Sequence, residues 1–386
     1  MRIATPEILP KDGLVHFRTQ VDSVHGSRLL WYTIPPQHAH LLSNSCDGPL
    51  VGLLIPAMAK GEDIYVEGPL SERLYHNVAG PYQVLLRKML PSLQRINVTP
   101  SDLVRHTDRP DGVATGFSAG VDSFSVVADY FLSETPASLK LTHLLFNNVG
   151  SHGPAGERLF DRRYDRVAAT ADKLGLPLVK INSNLDDFYD DKLHFERTHT
   201  PRNASVALLL QGGVGRFLYA SAFSYRDLRV APMAMIAHGD AVALPMLSTD
   251  TLDMISAGSE HTRVEKTIQL ANFPVTYDAL DVCVREQDAR NCSTCKKCMK
   301  TMLTLEIAGL LGRYEESFDL AEYRSGRDRY VESILPETND LIREIFTYAN
   351  TKGFRFSKKT YINAWMRNPR KMLRRSLWYT CKDRIT

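Results

Sequence analysis

The sequence predicts an α/β protein whose centre is a doubly wound, five-stranded parallel sheet. Three observations predict this fold. From about residue 110, short apolar segments alternate with longer amphipathic ones, as strands and helices do around a parallel sheet. Before residue 105 the apolar runs are short and separated by Gly and Pro, which is typical of strands. Four of the six cysteines fall between residues 283 and 298, which indicates a small metal-binding knuckle after the sheet.

The first hundred residues are expected to form mostly strands. Short apolar runs at 14–17, 29–34, 50–55 and 64–66 each have the length of a strand. One helix is expected over 71–90, where apolar residues recur at helical spacing. We interpret this stretch as a small mixed, β-rich domain.

The central region supplies the parallel strands and the helices between them. Ligands of such sheets bind beyond the carboxyl ends of the strands, so we expect the polar clusters described below to lie at those ends. The expected strands are 113–117, 142–146, 178–181, 233–237 and 275–280. The expected helices are 122–132, 156–174, 203–223 and 261–270, and a further helix is expected over 302–311, after the cysteines.

These elements divide the chain into four expected regions. Residues 1–108 form the N-terminal domain, 109–282 the α/β domain and 283–335 the cysteine cluster with its helix. Residues 336–386 form a basic helical tail, since the last 36 residues hold 11 Lys or Arg and one acid although the whole chain carries only +3. Such a tail suits nucleic acid, an acidic partner or a membrane surface. The alternative is a solvated helix pair in which a set of apolar residues packs: Tyr361, Trp365, Leu373, Leu377 and Trp378.

Composition excludes several classes of protein. With 44% hydrophobic and 24% charged residues, the chain is neither wholly disordered nor fibrous. No apolar stretch of about 18 residues is free of charge, and no apolar signal segment follows Met1. We therefore expect no membrane span and a cytoplasmic protein.

A loop of small residues follows the first central strand. Small side chains let backbone N–H groups approach an anion, and the start of a helix attracts negative charge. The hydroxyl groups add donors, and the carboxylate is placed to cap the helix or to hold Mg²⁺. No Lys precedes the last Ser, so this is not a Walker loop. The loop comprises Ser118, Ala119, Gly120, Val121, Asp122 and Ser123.

This loop resembles the Ser-Gly-Gly-x-Asp-Ser signature of the PP-loop ATP pyrophosphatases. That superfamily includes GMP synthetase, asparagine synthetase, tRNA-thiolating enzymes and cyano-deazaguanine synthase. Ala119 replaces the first glycine and lacks its freedom to adopt positive φ. The resemblance implies a HUP-type sheet, binding of ATP with Mg²⁺, cleavage between the α and β phosphates, and adenylation of a substrate oxygen.

The cysteine cluster has the spacing of a closed tetrahedral zinc site. Its four members are Cys283, Cys292, Cys295 and Cys298. The arrangement resembles the zinc motif of cyano-deazaguanine synthases. With all four positions taken by protein, Zn²⁺ would be structural, and Lys296, Lys297 and Lys300 would offset the charge of the thiolates. An iron–sulfur cluster and a redox pair remain alternatives.

The resemblance assigns roles to residues in two further loops. Phe146 and Asn147 follow the second central strand and border the adenine. The segment 200–203 is similar to the Pro-x-Arg-Asn that opens a helix in cyano-deazaguanine synthases, so Asn203 would cap the helix and bind substrate while Arg202 faces phosphate or a substrate carboxylate. A purely structural cap is the alternative.

The last group of candidates follows the fourth expected strand. The family's substrate loop corresponds to His238, Asp240, Ser248 and Asp250. Arg263 and Lys266 are spaced i, i+3, which places them on one helix face. Two cations there would neutralise the leaving pyrophosphate, although a solvated helix face is the alternative.

The leading functional hypothesis is an ATP-dependent, AMP-forming C–N ligase similar to cyano-deazaguanine synthase. A substrate carboxylate is adenylated, and ammonia or an amine displaces AMP to give an amide or, by a second round, a nitrile. One alternative is modification of a macromolecule, by tRNA thiolation or by attachment of an activated base to a protein, with the basic tail as docking surface. Another is an inactive nucleotide-binding regulator. We expect a homodimer.

Overall fold

The computed structural model describes residues 1–152, 156–283, 285 and 291–373. The chain divides into two compact units. The first unit comprises residues 1–118 and 126–260, and the second comprises residues 119–125 and the described residues from 261 onward. Among the described helices, none combines the length and the apolar character that crossing a bilayer demands.

The first unit contains a mixed sheet of eleven strands within the described residues. The strands are β1 (Arg2–Ile3), β2 (Glu7–Lys11), β3 (Leu14–Ser23), β4 (Gly26–Ile34), β5 (Ile64–Ser71), β6 (Val98–Val104), β7 (Gly112–Gly116), β8 (His143–Asn147), β9 (Leu178–Ser183), β10 (Val214–Ala220) and β11 (Asp253–Ala257).

Five of these strands form a parallel core in the order β11-β10-β7-β8-β9. The chain therefore builds outward from β7 in one direction with β8 and β9, and in the other with β10 and β11. An α/β sheet binds ligands where the strand order reverses in this way. In this sheet that point lies beside β7, the strand that the loop of small residues follows.

The strands of the N-terminal hundred residues extend the same sheet. β4 pairs antiparallel with β9, through Tyr32 with Ser183 and Thr33 with Asn182. β3, β1, β5 and β6 continue from β4 in that order, and β2 pairs with β3. The two stretches expected to be separate domains thus share one continuous sheet.

The helices occupy both units. They are α1 (Asp47–Lys60), α2 (Glu72–Ala79), α3 (Pro81–Met89), α4 (Val121–Val127), α5 (Gly156–Leu174), α6 (His199–Leu209), α7 (Asp240–Ala243), α8 (Arg263–Leu270), α9 (Thr276–Ala279), α10 (Lys296–Ile307), α11 (Leu320–Ile334), α12 (Asp340–Thr351) and α13 (Lys358–Arg367). The helices expected over 156–174 and 261–270 are confirmed.

Two expectations for the N-terminal region are wrong. The apolar run 50–55 belongs to α1, whose residues from Asp47 to Met58 are all buried. A helix buried on every side shows no amphipathic period, so its sequence cannot be told from that of a buried strand. The helix expected over 71–90 is two helices, because Gly80 and Pro81 interrupt it.

Three expectations for the central region are also wrong. The helix expected over 203–223 ends at Leu209, and Gly212 and Gly213 precede β10. The fourth parallel strand is therefore β10 and the fifth is β11, whereas 233–237 contains no strand and 275–280 contains α9. The apolar residues of β10 continued the apolar pattern of α6, which hid the boundary between them.

Candidate active site and metal centre

The loop of small residues contains a strained backbone position. Ala119 has φ of 56°, in the left-handed region, which costs a residue other than Gly about 1–2 kcal/mol. Its carbonyl oxygen accepts a hydrogen bond from the N–H of Asp281 at 2.8 Å. The next turn is closed by the Ser123 hydroxyl and the Phe124 N–H, which both donate to the carbonyl oxygen of Gly120. Ala119 thus has a positive φ although it lacks the conformational freedom of the glycine that it replaces. Backbone strain of this kind is concentrated at functional sites.

Asp122 and Arg263 form an ion pair within the second unit. Asp122 lies in the first turn of α4, and Arg263 is the first residue of α8. Asp122 Oδ1 and Arg263 Nε are both buried and have no hydrogen-bond partner among the described residues. The pair therefore has one acceptor and one donor that the protein does not use. Buried polar atoms of this kind call for an explanation, and a bound ligand is one.

Two lysines lie in the same region of the second unit. Lys266 of α8 is buried, with 1% of its surface exposed. Lys300 of α10 is half-buried, and burial together with the nearby Arg263 cation lowers the pKa of Lys300 to about 7. The Asp122 and Glu344 carboxylates oppose this shift, and Glu344 also accepts the Arg263 backbone N–H at 3.0 Å. Three basic side chains thus accompany two carboxylates, Asp122 and Glu344, so basic groups are in slight excess in this region.

The four cysteine sulfurs meet the demands of a metal site. All four Sγ atoms lie within 4.8 Å of one another. Zinc–thiolate bonds of about 2.3 Å in a tetrahedron would separate sulfurs by about 3.8 Å, so the cluster needs only small adjustments to hold Zn²⁺. With four thiolate ligands the metal would have no open position. The set fits a structural zinc ion, and it leaves the iron–sulfur alternative open.

Backbone groups around the cysteines are oriented towards sulfur. The Cys295 N–H points at Cys292 Sγ at 3.2 Å, and the Cys298 N–H points at Cys295 Sγ at 3.5 Å. Cys295 is also the N-cap of α10. Asn291 joins the two ends of the cysteine segment, since it accepts the Val282 N–H and donates to the carbonyl oxygen of Leu280. Such outer contacts orient metal ligands.

The expected adenine-binding residues lie at the carboxyl end of β8 in the first unit. The Phe146 ring is 5% exposed and stacks on Phe160, with ring centroids 5.1 Å apart. Asn147 donates to Asn203 Oδ1 at 3.4 Å, while its own Oδ1 is buried without a partner among the described residues. Asn147 therefore offers an unused acceptor, whereas the Phe146 side chain is part of the core. Ser118 is exposed.

Arg202 is occupied by the protein itself. It is 1% exposed, and it donates to Thr198 Oγ1, to the carbonyl oxygens of Val149 and Leu193, and to Asp186. Its guanidinium carbon also lies 3.5 Å from the ring centroid of Tyr189. This environment favours a structural role, so contact of Arg202 with phosphate or substrate stays a prediction.

Asn203 is not the cap of its helix. α6 begins at His199 after Thr198, four residues earlier than expected, and Pro201 is tolerated in its first turn. Asn203 Nδ2 instead donates to the carbonyl oxygen of His199 at 2.9 Å. His199 in turn bonds the Tyr219 hydroxyl at 2.7 Å, and burial lowers the pKa of His199 to about 4, so this imidazole is neutral at physiological pH.

His238 lines a polar pocket of the first unit. The pocket has a volume of about 10 Å³ and is bordered by residues of the segment that follows β10 and by Ser256 and Ser259. The imidazole stacks on Phe223 with centroids 3.7 Å apart, and Nδ1 lies 3.0 Å from the carbonyl oxygen of Asp227. The Ser256 and Ser259 hydroxyls, 2.9 Å apart, lie on the same pocket. A polar pocket of this size has room for about one water molecule and is far smaller than a ligand site.

Asp240 is a buried acid beside this segment. It accepts the Thr200 hydroxyl at 2.7 Å, and its Oδ2 has no partner among the described residues. Burial raises the pKa of Asp240 to about 8, and the Thr200 hydrogen bond offsets this only in part. The carboxyl group is therefore largely protonated at pH 7 and can donate a hydrogen bond.

Ser248 and Asp250 lie at the other edge of the sheet. Both precede β11, and Ser248 Oγ accepts the Met254 N–H at 2.9 Å. The sequence expected them after a strand, an expectation that fails because no strand covers 233–237. They precede the amino end of β11, and a substrate role for them stays a prediction.

Two residues of this region, Lys300 and Glu344, were not assigned to the candidate site from the sequence. Sequence reasoning assigned Lys300 only to charge compensation of the cysteines, and it gave no role to Glu344. The signal for Lys300 was present, since this residue is one turn before the apolar residues of α10. No pattern could have indicated Glu344, which is 81 residues from the N–H that it accepts.

The last described helix, α13, presents apolar side chains to solvent. Tyr361 is 44% exposed, Trp365 45% and Met366 66%. Tyr361 and Trp365, two of the residues that would pack in the alternative, are thus about half exposed, and only Thr360 and Ala364 of α13 are buried. Leu373 is 51% exposed, and Leu377 and Trp378 lie outside the described residues.

Comparisons with protein-family models, with curated proteins and with solved structures give no match to this chain. The resemblance of the loop and of the cysteine spacing to the PP-loop enzymes therefore remains one of short motifs.

Proposed function

We propose that the chain is an ATP-dependent, AMP-forming enzyme of the PP-loop type. The observation that carries this proposal is the Asp122–Arg263 pair, which follows the loop of small residues and leaves one buried donor and one buried acceptor unused. Lys266, on the same helix as Arg263, and Lys300 of α10 add basic groups of the kind that a pyrophosphate group requires.

The residues of the second unit would act mainly on charge. A carboxylate oxygen of the substrate attacks the α-phosphorus, the bond to the oxygen that bridges to the β-phosphate breaks, and pyrophosphate leaves. Arg263, Lys266 and Lys300 would neutralise the charge that builds on this leaving group. Asp122 would hold Mg²⁺, which when bound shields the phosphate oxygens.

The second half-reaction transfers the acyl group. Ammonia or an amine attacks the acyl carbon of the adenylate, loses a proton, and AMP leaves to give an amide. A carboxylate and a nitrogen nucleophile are thus the proposed small-molecule partners. The cysteine cluster, with Zn²⁺ as the best-fitting metal, would have a structural role, since a tetrathiolate site has no open position.

The test is formation of AMP and pyrophosphate from ATP over a set of carboxylic acids, with and without ammonia. We expect Asp122→Asn to lower the rate at least about 100-fold, as removal of an electrostatic contact to a transition state does. The matched control is Asp172→Asn, on the exposed side of α5, which should keep the wild-type rate. Absence of AMP with every acid, or equal rates in wild type and Asp122→Asn, would contradict the proposal.

A macromolecular substrate is the second candidate, and α13 favours it. This helix exposes Tyr361 and Trp365 next to the exposed cations Lys358, Lys359 and Arg367. Aromatic side chains interleaved with cations are the pattern that binds single-stranded nucleic acid. Binding of an RNA oligomer that weakens with rising salt and is lost in Trp365→Ala would support this candidate. Salt-independent binding, or none, would leave the small-molecule reaction.

A further inference from the structure

Helix α10 links the cysteine cluster to Lys300, one of the three basic residues proposed to bind the anion. Its N-cap is Cys295, whose Sγ accepts the Cys298 N–H, and Cys298 is fully buried. Lys300 follows Cys298 by two residues on the same helix. The first turn of α10 is thus built from the proposed metal ligands, and the next residues carry the ammonium group of the proposed anion site.

Packing directs Lys300 towards the start of α8. Leu303 and Ile307 follow Lys300 at i+3 and i+7, so all three lie on one face of α10. Leu303 and Ile307 pack in one core cluster with Val264, the residue after Arg263. The part of the chain that the structure describes gives the Lys300 ammonium no hydrogen bond and no ion pair. A basic side chain held in place by its helix and left without an acceptor is suited to bind an anionic ligand.

A second connection joins the cysteine segment to the loop. The Asp281 N–H donates to the carbonyl oxygen of Ala119, the residue with positive φ. The Cys283 N–H donates to the Asp281 side chain at 3.2 Å. The conformation of the loop is therefore tied to the first cysteine of the cluster, as Lys300 is tied to the last.

We propose that metal binding by the four cysteines organises the anion site, by fixing Lys300 through α10 and the loop through Asp281. This inference rests on the proposed function, because it takes the anion to be the pyrophosphate end of ATP. No disulfide bond links the four sulfurs, so a bound metal would add the thiolate bridge to the hydrogen bonds by which Asn291 joins the two ends of the cysteine segment. Without it the first turn of α10 loses its fixed end, and both connections loosen. Because linkage is reciprocal, the anion must raise the affinity for the metal by the factor by which the metal raises the affinity for the anion.

The experiment measures binding rather than turnover. Magnesium pyrophosphate is titrated calorimetrically into the full chain loaded with zinc, and into the same protein after removal of zinc by a zinc-selective chelator, with helix content followed by circular dichroism. We expect metal removal to weaken pyrophosphate binding by about tenfold or more, the effect of losing a hydrogen bond to a charged group. Zinc competition with the chelator should show a tighter zinc site when pyrophosphate is present.

Lys300→Met in zinc-loaded protein provides a test that does not require metal removal. We expect this variant to keep its zinc and to lose about tenfold in pyrophosphate affinity. Removing zinc from the variant should then weaken pyrophosphate binding by less than zinc removal weakens it in wild type. The control is Lys352→Met, which removes an exposed lysine at the end of α12 in the same unit. Wild-type affinity in Lys300→Met, or zinc affinity that pyrophosphate leaves unchanged, overturns the inference. Absence of any pyrophosphate binding by zinc-loaded wild type instead overturns the proposed function.

Discussion

Two arginines near the start of a helix have opposite environments in this protein. Arg202 of the first unit donates to four protein oxygens and stacks against Tyr189. Arg263 of the second unit pairs with Asp122 and keeps a buried Nε without a partner among the described residues. The sequence treated both as ligands of phosphate. The structure separates a cation whose hydrogen bonds are used by the fold from one with bonding capacity left.

This difference distinguishes stabilising residues from binding residues. A buried cation whose donors are all used has a large effect on the free energy of unfolding, because its removal leaves buried acceptor oxygens without a hydrogen-bond donor. An unsaturated one contributes less to folding and has donors available to a ligand. The same distinction predicts different outcomes for three groups of substitutions.

The largest expected effect is that of Arg202→Met. We expect it to lower the free energy of unfolding by about 3–5 kcal/mol, since it breaks a buried charged network. Arg263→Met should lower the free energy of unfolding by less than half as much, and it should reduce pyrophosphate affinity. The folded fraction of Arg202→Met should bind pyrophosphate as wild type does. Urea unfolding and calorimetric titration of both variants check this. Similar stability losses in the two variants would remove the distinction.

Asp240 gives an effect of intermediate size that depends on pH. Its folded pKa of about 8 lies above the ordinary value of 3.8, so the folded state binds more protons between these limits. The stabilisation is present at low pH and is lost as the pH rises through this range, at up to roughly 1.4 kcal/mol per pH unit. We expect Asp240→Asn to lack this decline, because the amide stays neutral.

The measurement for Asp240 is urea unfolding of both proteins from pH 5 to pH 9. The difference in stability should grow in favour of Asp240→Asn as the pH rises. Parallel curves would show that Asp240 is ionised in the folded protein, and that its unused oxygen binds a cation or a donor instead.

Ala119→Gly has the smallest expected effect. Glycine adopts φ of 56° without the steric cost, but it adds freedom to the unfolded chain, so we expect a gain of about 1 kcal/mol or less. Ala308→Gly, at a position with φ of −76° in the same unit, is the control and should destabilise. Thermal unfolding of the two variants checks the sign. Destabilisation by Ala119→Gly would show that the loop is not strained.

The sequence predicted correctly those elements whose hydrophobic pattern has a single period and whose ends are clearly marked. β7, β8, β9, α5 and α8 fall where expected because each has polar or glycine-rich boundaries. The boundary between α6 and β10 was missed, since both elements are apolar and only residues 210–213 separate them. α1 was missed because burial on every side removes the amphipathic pattern from its sequence.

The candidate site could be predicted only where neighbours in the chain define it. The loop 118–123 and the four cysteines have fixed spacings, and their positions in the sequence indicated their chemistry. Whether an arginine is saturated depends on residues far away in the chain, such as Val149 for Arg202. Arg202 and Arg263 differ in burial and in hydrogen-bond partners that are distant in the chain, and a local sequence pattern indicates neither property.

The central claim is that the cluster around Asp122 and Arg263 binds the phosphates of ATP. It is tested most directly by calorimetric titration of α,β-methylene-ATP with Mg²⁺ into wild type and Arg263→Gln. The account predicts saturable binding at a single site in wild type and a loss of about tenfold or more in the variant, with little change in melting temperature. No binding by wild type, or the same affinity in both proteins, would contradict it.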